Sequence, residues 1–266
     1  MQETLYGRQA VREALRAARR QFSLLFFAEG IVDNPIVQEI VALAAGQRIP
    51  TKTLSRHELA SITGGENHQG IALKCSAYPY ASVDEMLGLA ERRREAPLFL
   101  LLDLIQDVRN LGSLLRTSEA AGVHGVIIQE RRAAGVTPAV VNTSSGAVEH
   151  LLVGQVTNLA REIERLKALE IWVAGLEDVE GAQSYTAMDL TVPLGIVVGS
   201  EGSGLRRLVQ ERCDWLMVLP MRGEINSLNA AVAGSIALYE VLRQRRCART
   251  GTDARTGTDA RTGTVR

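Results

Sequence analysis

The 266-residue chain has few cysteines, no long hydrophobic run and a formal net charge of zero. Its three cysteines, Cys75, Cys213 and Cys247, are far apart, which excludes both a disulfide framework and a cysteine metal cluster. No apolar run approaches the roughly 20 residues of a membrane-spanning helix, and the charged N-terminus lacks the apolar core of a signal peptide. These absences predict a cytoplasmic protein, and the 46% hydrophobic, 23% charged composition predicts a globular fold.

The neutral total hides an uneven distribution of charge along the chain. Residues 1–80 carry nine basic and seven acidic side chains, whereas residues 81–242 carry 14 basic and 21 acidic ones. Residues 243–266 carry seven basic and two acidic side chains. The chain therefore has a mildly basic front, an acidic body and a basic tail, a division that by itself says little about function.

Two changes in composition divide the chain into parts. Residues 1–78 alternate between helical and strand patterns, which predicts a small α/β domain, and residues 79–97 contain two prolines and are interpreted as a linker. Residues 98–246 alternate again and begin with a continuous apolar segment, which is typical of a buried strand in a parallel sheet. Residues 247–266 repeat RTGTDA and are predicted to be disordered, because they contain almost no large apolar residue.

Three loops at predicted strand ends contain the candidate functional residues, and the first spans residues 107–122. Asn110 lies where this loop becomes a helix, and Arg116 follows six residues later. An arginine at this position could bind phosphate through its forked guanidinium group. The alternative is a surface pair between Arg116 and Glu119 on one helix, and the local sequence alone favours this simpler interpretation.

The second loop, residues 199–204, has the sequence GSEGSG and follows the apolar segment LGIVV. Its glycines would let a ligand approach the backbone closely, but their order differs from that of a dinucleotide-binding loop, and a P-loop lysine is lacking. Glu201 would repel phosphate, so it suits a positively charged cofactor or a polar network around a reacting group. A flexible turn remains the alternative interpretation of the glycines.

The third loop, residues 219–235, leads into a helix rich in alanine and glycine. Ser227 and Asn229 precede this helix, where either could be a polar site group or only its N-cap. The small residues of the helix predict close backbone packing, either inside the domain or across a dimer.

Taken together, the three loops resemble the three motifs of the SpoU (TrmH) family of RNA 2′-O-ribose methyltransferases, within the SPOUT superfamily. The likeness covers roughly residues 98–246 and depends on ordered pairs, namely Asn110 with Arg116, Gly199 with Glu201, and Ser227 with Asn229. Residues 1–78 resemble the small ribosomal-protein-like domain that precedes the catalytic domain in one branch of the family. The segments YGRQAVREAL and NHQG carry that second likeness. Val108 and Arg109 depart from the family, since many members have a proline-containing pair there.

The resemblance implies an α/β fold with a SPOUT-type parallel sheet and a C-terminal deep trefoil knot, preceded by an L30e-like α/β domain. It also implies S-adenosylmethionine as cofactor, an RNA substrate, and a homodimer with active sites near the subunit interface. The branch that the layout resembles methylates the ribose 2′-hydroxyl of a guanosine in 23S rRNA. Alternatives are a tRNA target, an rRNA target linked to antibiotic resistance, and a non-catalytic RNA-binding factor in ribosome assembly.

The resemblance also implies roles for individual residues. Arg116 would bind the nucleotide phosphate and help to activate the hydroxyl, while four polar residues would orient it and the ribose: Asn110, Glu201, Ser227 and Asn229. Because the pKa of an ordinary guanidinium exceeds about 12, either Arg116 is strongly perturbed or phosphate or water takes the proton. Cofactor contacts are expected from Gly199, Leu219, Met221 and Leu228 and, in the loop at residues 143–147, from Ser144. No metal is expected, because the four histidines share no ligand spacing.

The charge distribution then suggests a division of labour between the two parts. The helix predicted over residues 6–20 carries Arg8, Arg12, Arg16 and Arg19 on one face and is expected to recognise RNA. The acidic body would hold the cationic cofactor. The run of arginines at residues 92–94 is expected to be a solvated helix end rather than an RNA contact.

Overall fold

Two β-sheets organise the computed structural model, which describes residues 2–224 and 227–256. The N-terminal unit contains the first sheet and three helices. In chain order its elements are β1 (Gln2–Tyr6), α1 (Arg8–Ala17), β2 (Phe22–Ala28), α2 (Pro35–Gly46), β3 (Thr51–Leu54), α3 (Arg56–Ile62) and β4 (Ile71–Ser76). Its strands lie in the order β1-β4-β2-β3, with β4 antiparallel to both neighbours and β2 parallel to β3.

The second unit contains a seven-stranded sheet in which every described pair is parallel. Its elements are α4 (Val83–Arg93), β5 (Leu98–Asp103), α5 (Val108–Ala120), β6 (Gly125–Gln129), α6 (Pro138–Thr143), a 3-10 helix (Ala147–His150), β7 (Val153–Val156), α7 (Leu159–Ala168), β8 (Trp172–Leu176), β9 (Gln183–Ser184), β10 (Leu194–Gly199), α8 (Arg207–Arg212), β11 (Trp215–Val218) and α9 (Ala230–Thr256). The predicted α/β class and parallel sheet are thus confirmed.

The strand order is β7-β6-β5-β10-β8-β11-β9, so β10 lies between β5 and β8 although both precede it in the chain. Because all these strands are parallel, the carboxyl ends of β5, β8, β10 and β11 meet at one edge, where ligands of open α/β sheets bind. All six residues of β5 and of β10 are buried, as expected for strands covered by helices on both faces.

Helix α9 returns across the sheet and packs against α5 and β10. This packing is close because Gly234 lacks a side chain: a Cβ there would lie 2.6 Å from the Leu114 side chain and 3.0 Å from that of Val198. The expectation that the small residues of this helix serve close packing therefore holds within the domain. None of the described helices is both long and apolar enough to cross a bilayer.

The structure differs from the predicted elements in several places. Strand β1 was not predicted, nor were α6, β7 and β9, and the first helix begins at Arg8 rather than Tyr6 because Gly7, with φ of 88°, ends the strand. The predicted linker is more than a connection, because Met86 of α4 is buried with Phe99 in a core cluster of the second unit. Helix α9 continues to Thr256, so residues 247–256 are helical where disorder was expected, and residues 257–266 lie outside the described part.

The continuation of α9 has a physical basis in its docking. Arg249 forms an ion pair with Glu95 at 2.9 Å, and Arg245 donates to the carbonyl oxygens of Ala96, Pro97 and Val192. Once these contacts hold the helix, each further residue adds a hydrogen bond at low cost, which composition alone does not show.

A buried ion pair joins the N-terminal unit to the second unit. The Arg20 guanidinium donates through Nε and Nη2 to the two carboxylate oxygens of Glu149, at 3.0 and 2.7 Å, and neither side chain is exposed. Nη1 of Arg20 donates to Glu3 at 2.7 Å. Burial disfavours the charged guanidinium, but its carboxylate partners outweigh this effect and raise the pKa of Arg20.

The arginines of α1, and Arg19 just after it, have partners within the protein, and the expectation that their face recognises RNA stays a prediction. Arg12 and Arg16 form ion pairs with Glu13 and Glu39 on the same unit. Arg19 donates to carbonyl oxygens of the second unit at Glu149 and Leu151. The spacing of the arginines placed them on one helix. Their partners Glu39, Glu149 and Leu151 are distant in the chain, so spacing along the helix could not predict these contacts.

Candidate functional site

Two neighbouring cavities open at the edge formed by the carboxyl ends of the central strands. The larger, of about 730 Å³, is lined by the ends of β8, β10 and β11 and by the first residues of α9. The smaller, of about 340 Å³, is lined by residues between β5 and α5, including Asp107 and Asn110. Ser200, Glu201 and Ser203 line both cavities, so the glycine-rich loop after β10 forms the wall between them.

This loop is a tight turn closed by its own backbone. Ser200 and Gly204 exchange two backbone hydrogen bonds, at 3.2 and 3.0 Å, and the hydroxyls of Ser200 and Ser203 lie 2.7 Å apart. Gly199 permits the closure, since a Cβ there would overlap the carbonyl of Gly204 and lie 2.5 Å from the amide nitrogen of Leu205. The segment is therefore a turn, as the alternative interpretation had it, and glycine at position 199 is required for its closure.

A polar cluster of three predicted residues lies at the boundary of the cavities. The Asn229 side-chain amide donates to Asn110 Oδ1 at 2.9 Å and to Glu201 Oε1. The Asn229 Oδ1 atom accepts from the backbone amides of Ala231 and Val232, at 3.0 and 3.2 Å. Asn229 therefore fulfils both interpretations offered by the sequence, since one end of its side chain caps α9 and the other links two motifs.

Asn110 is also positioned by contacts at the start of its own helix, α5. The Asp107 carboxylate caps α5 by accepting from the backbone amides of Arg109 and Asn110, at 2.9 and 2.8 Å. Asn110 is only 9% exposed, which leaves its amide held between the helix and Asn229. These contacts position Asn110 relative to α5 and Asn229, as is needed of a group that orients a substrate.

Arg116 is not part of this cluster in the single chain. It lies about 9 Å further along the axis of α5, is exposed, and donates to the Ser145 hydroxyl at 3.2 Å. Among the described side chains it makes no ion pair with Glu119, so the proposed surface pair is absent there. Arg116 lines neither of the two cavities.

The turn that contains Ser145, whose hydroxyl accepts from Arg116, is packed between the two units. A Cβ on Gly112 of α5 would lie 2.8 Å from that of Thr143, and one on Gly146 would lie 2.6 Å from that of Glu13 on α1. Ser145, with φ of 55°, is therefore held between α5 and the N-terminal unit.

Most of the predicted cofactor contacts meet at the larger cavity. Its lining contains Gly199, Leu219, Met221 and Leu228, and also Ser227. Ser144 lies elsewhere: it is fully buried, and its hydroxyl donates to the Val141 carbonyl at 3.0 Å. The Ser144 hydroxyl is used at the end of α6, and the next residue is the one that turns outward, so a cofactor contact from Ser144 stays a prediction.

Acidic residues after β8 were missed by the sequence reasoning. Glu177 and Asp178 line the larger cavity, and Glu177 Oε2 accepts from the Leu205 amide at 2.7 Å, which braces the glycine-rich loop. Asp103, at the end of β5, is buried and forms an ion pair with Arg206 at 2.7 Å on the other side of the loop. The sequence feature that could have identified these acidic residues is their position at the ends of strands.

Replacing Gly199 with alanine is expected to weaken binding of the cofactor at the larger cavity by about tenfold or more. The added Cβ must displace the backbone of residues 204 and 205, a distortion of roughly 1–3 kcal/mol. Gly223→Ala is the matched control, because a Cβ there meets nothing within 4 Å. Calorimetric titration with S-adenosylmethionine measures both, and equal affinities would contradict the assigned role of Gly199.

The histidines and cysteines have structural environments. His124 Nδ1 accepts from the Leu98 amide, and His68 Nδ1 accepts from the Gly70 amide, both at 3.0 Å. Burial raises the pKa of Cys75 to about 11 and that of Cys213 to about 12. Within residues 2–224 and 227–256, no group of three potential ligands is arranged to hold a metal ion.

Comparison with known families gives two matches that together cover most of the chain. The SpoU rRNA methylase family model matches residues 97–239, and the model for RNA 2′-O-ribose methyltransferase substrate binding matches residues 4–81. YacO of Bacillus subtilis, named as a TrmH family tRNA/rRNA methyltransferase, is 43% identical over 90% of this chain and 94% of its own length. A Staphylococcus aureus protein of the same description is 41% identical over 92% of this chain and 98% of its own. The chain therefore belongs to the SpoU/TrmH family of RNA methyltransferases.

Solved structures share the fold at lower identity. The SpoU methyltransferase AviRb of Streptomyces viridochromogenes superimposes with a TM-score of 0.78 at 24% identity, covering 94% of this chain and 91% of that one. AviRb is also known in complex with AdoMet, with a TM-score of 0.77, 23% identity and coverage of 92% and 91%.

Proposed function

We propose that this protein transfers a methyl group from S-adenosylmethionine to a ribose 2′-hydroxyl of RNA. The observation that carries the proposal is the cluster of Asn110, Glu201 and Asn229, which joins all three family motifs at the boundary of two cavities. The larger cavity would hold the cofactor and the smaller one the ribose.

The residues around the larger cavity suit this cofactor. Its volume of about 730 Å³ lies within the usual range for small-molecule sites. Leu176, Val198 and Leu228 would offer apolar surface to the cofactor, and Glu177 and Asp178 would supply negative charge suited to a cation. When bound, the cofactor supplies an activated methyl group.

The side chains of this chain would orient the acceptor and stabilise charge. Asn110 and Asn229 would hold the ribose so that its 2′-oxygen faces the larger cavity, and alignment of this kind supplies several kcal/mol. Arg116 would bind the nucleotide phosphate with its forked guanidinium. An ordinary guanidinium cannot take a proton, so phosphate or water would take that of the hydroxyl.

The proposed substrate is a guanosine in 23S rRNA. The matches to an rRNA methylase family and to a substrate-binding module over residues 4–81 support an rRNA target, and the names of the relatives leave tRNA as the second candidate. Mapping of ribose methylation in rRNA and tRNA from a deletion strain tests the choice. Loss of one 23S rRNA methyl group is expected, and a loss confined to tRNA would contradict the assignment.

The protein is further proposed to form a homodimer through α9. Val232, Ile236 and Tyr239 recur at helical spacing on α9 and are 47%, 37% and 51% exposed. The Thr117 hydroxyl on α5 lies 2.9 Å from that of Ser235, so this apolar face adjoins Arg116. A second chain packed on α9 would cover Arg116 and bring it to an active site at the interface.

Three other features remain part of the proposal. They are the trefoil knot of the C-terminal part, the L30e-like nature of the N-terminal unit, and a cytoplasmic location. The return of α9 onto α5 and β10 and the non-sequential order of β10 support the knot. A role as a non-catalytic assembly factor is the competing hypothesis, and it requires that the larger cavity bind no S-adenosylmethionine.

A further inference from the structure

Three exposed arginines lie next to the smaller cavity and take no part in the polar cluster. We propose that Arg109, Arg131 and Arg132 form a phosphate-binding rim that holds the RNA strand as it enters this cavity. The proposal rests on the proposed function, to which it adds the surface that guides the RNA. This rim would add phosphate contacts beside the smaller cavity to the contact proposed for Arg116.

Two hydrogen bonds place the segment after β6 at the smaller cavity. The Gln106 side-chain amide donates to the Arg132 carbonyl at 3.1 Å, and the Ala134 amide donates to the Ile105 carbonyl at 2.8 Å. Ile105 and Gln106 both line the cavity. The backbone of Arg132 therefore contacts the cavity wall directly, and Arg131 is its neighbour.

Arg109 lies at the start of α5, next in the chain to a residue of the cavity wall. It precedes Asn110, which lines the cavity, and its amide is fixed by Asp107 at 2.9 Å. The Asp107 carboxylate is engaged in capping α5 and accepts both backbone amides there. Its charge is thus already stabilised by the helix N-terminus, which reduces its repulsion of a nearby phosphate.

The charges of the three arginines are available to a ligand. Each side chain is exposed, and within the described residues none of the three forms an ion pair, in contrast to Arg12 and Arg16 of α1. Exposed guanidinium groups without carboxylate partners bind phosphate at little desolvation cost.

Acidic residues line both cavities: Glu177 and Asp178 line the larger one, Asp107 lines the smaller one, and Glu201 lines both. The proposed rim would add positive charge on the side of the smaller cavity, where the backbone of Arg132 contacts the wall. Among the described residues the lining of the larger cavity contains no basic side chain, so a polyanion would favour the side of the rim.

A matched control exists at the opposite edge of the sheet. Arg92 and Arg93 are adjacent, exposed and located in the last turn of α4, shortly before β5 begins. They therefore lie towards the amino ends of the strands, away from the cavities. Reversing both charges changes the net charge as much as the same change at Arg131 and Arg132.

The test compares Arg131→Glu/Arg132→Glu with Arg92→Glu/Arg93→Glu in the full chain. Filter binding of naked 23S rRNA at several salt concentrations is expected to show affinity lowered about tenfold or more in the first variant, with the salt slope reduced by roughly 1.4–1.8. Addition of Arg109→Glu should weaken binding further. The control variant should remain within about twofold of the wild type, and all variants should bind S-adenosylmethionine alike, which confirms folding.

Equal weakening by both double variants would overturn the rim, because it would reveal only an effect of net charge. No weakening by either, or no RNA binding by the wild-type chain, would overturn it as well. The proposed function is judged separately by methyl transfer. If the rim variant alone loses RNA affinity but the wild type transfers no methyl group, the rim is supported and the proposed function is contradicted. If the rim variant binds and methylates RNA normally, the proposed function is supported and the rim is contradicted.

Discussion

Arg116→Ala is expected to lower the rate of methyl transfer at least about 10²-fold while leaving the affinity for S-adenosylmethionine unchanged. The loss of one positioned charge at a reacting centre has an effect of this size. The cofactor should bind normally, because Arg116 is absent from the lining of the larger cavity. Single-turnover assays measure the first quantity and calorimetric titration the second.

Two further variants separate catalysis from surface packing at this position. Arg116→Lys keeps the charge but loses the forked geometry, so an intermediate rate is expected. Glu119→Ala, one turn further along α5, should have wild-type activity because Glu119 is exposed and outside both cavities. Full activity of Arg116→Ala, or equal losses in Arg116→Ala and Glu119→Ala, would contradict the role proposed for Arg116.

Glu149→Ala is expected to lower the free energy of unfolding by about 3 kcal/mol or more, because it leaves the buried Arg20 without its bidentate partner. For a chain of this size that loss corresponds to a fall of roughly 6–12 °C in the thermal midpoint. The effect should be large because both side chains are fully buried at the junction of the two units. Thermal unfolding followed by calorimetry measures it.

Glu3→Ala is the comparison for this second prediction. Glu3 contacts the same guanidinium at 2.7 Å but is 19% exposed, so a loss of about 1 kcal/mol is expected. The double change Arg20→Met and Glu149→Leu removes both charges together and should restore much of the stability. A fall in the midpoint for Glu149→Ala no greater than that for Glu3→Ala would show that the buried pair does not join the units.

The parallel sheet and the location of the site could be predicted from the sequence for physical reasons. Strand β2 is a continuous apolar segment, FSLLFFA, and Ser55 with Glu58 forms a capping box at α3, so both elements follow from local pattern. The three motif loops follow strand ends, and parallel strands bring such loops to one edge. The resemblance of Asn110, Glu201 and Asn229 to family motifs then placed together residues that the structure joins by hydrogen bonds.

The remaining features depend on contacts between distant parts of the chain. Arg20 and Glu149 are separated by 129 positions, and spacing along α1 could not show which arginines were already paired. The difference between Ser144 and Ser145 arises in a turn with two consecutive left-handed residues, Ser145 and Gly146, which no periodicity indicates. Strands as short as β9, with two residues, also lack a readable pattern.

The central claim is that the two cavities serve methyl transfer to a ribose hydroxyl, and one measurement tests it most directly. The full chain is incubated with naked 23S rRNA and methyl-labelled S-adenosylmethionine, and the RNA is digested to nucleosides for mass spectrometry. The account predicts that the label appears as 2′-O-methylguanosine. Label on a base, or cofactor binding with no transfer to rRNA or tRNA, would contradict it.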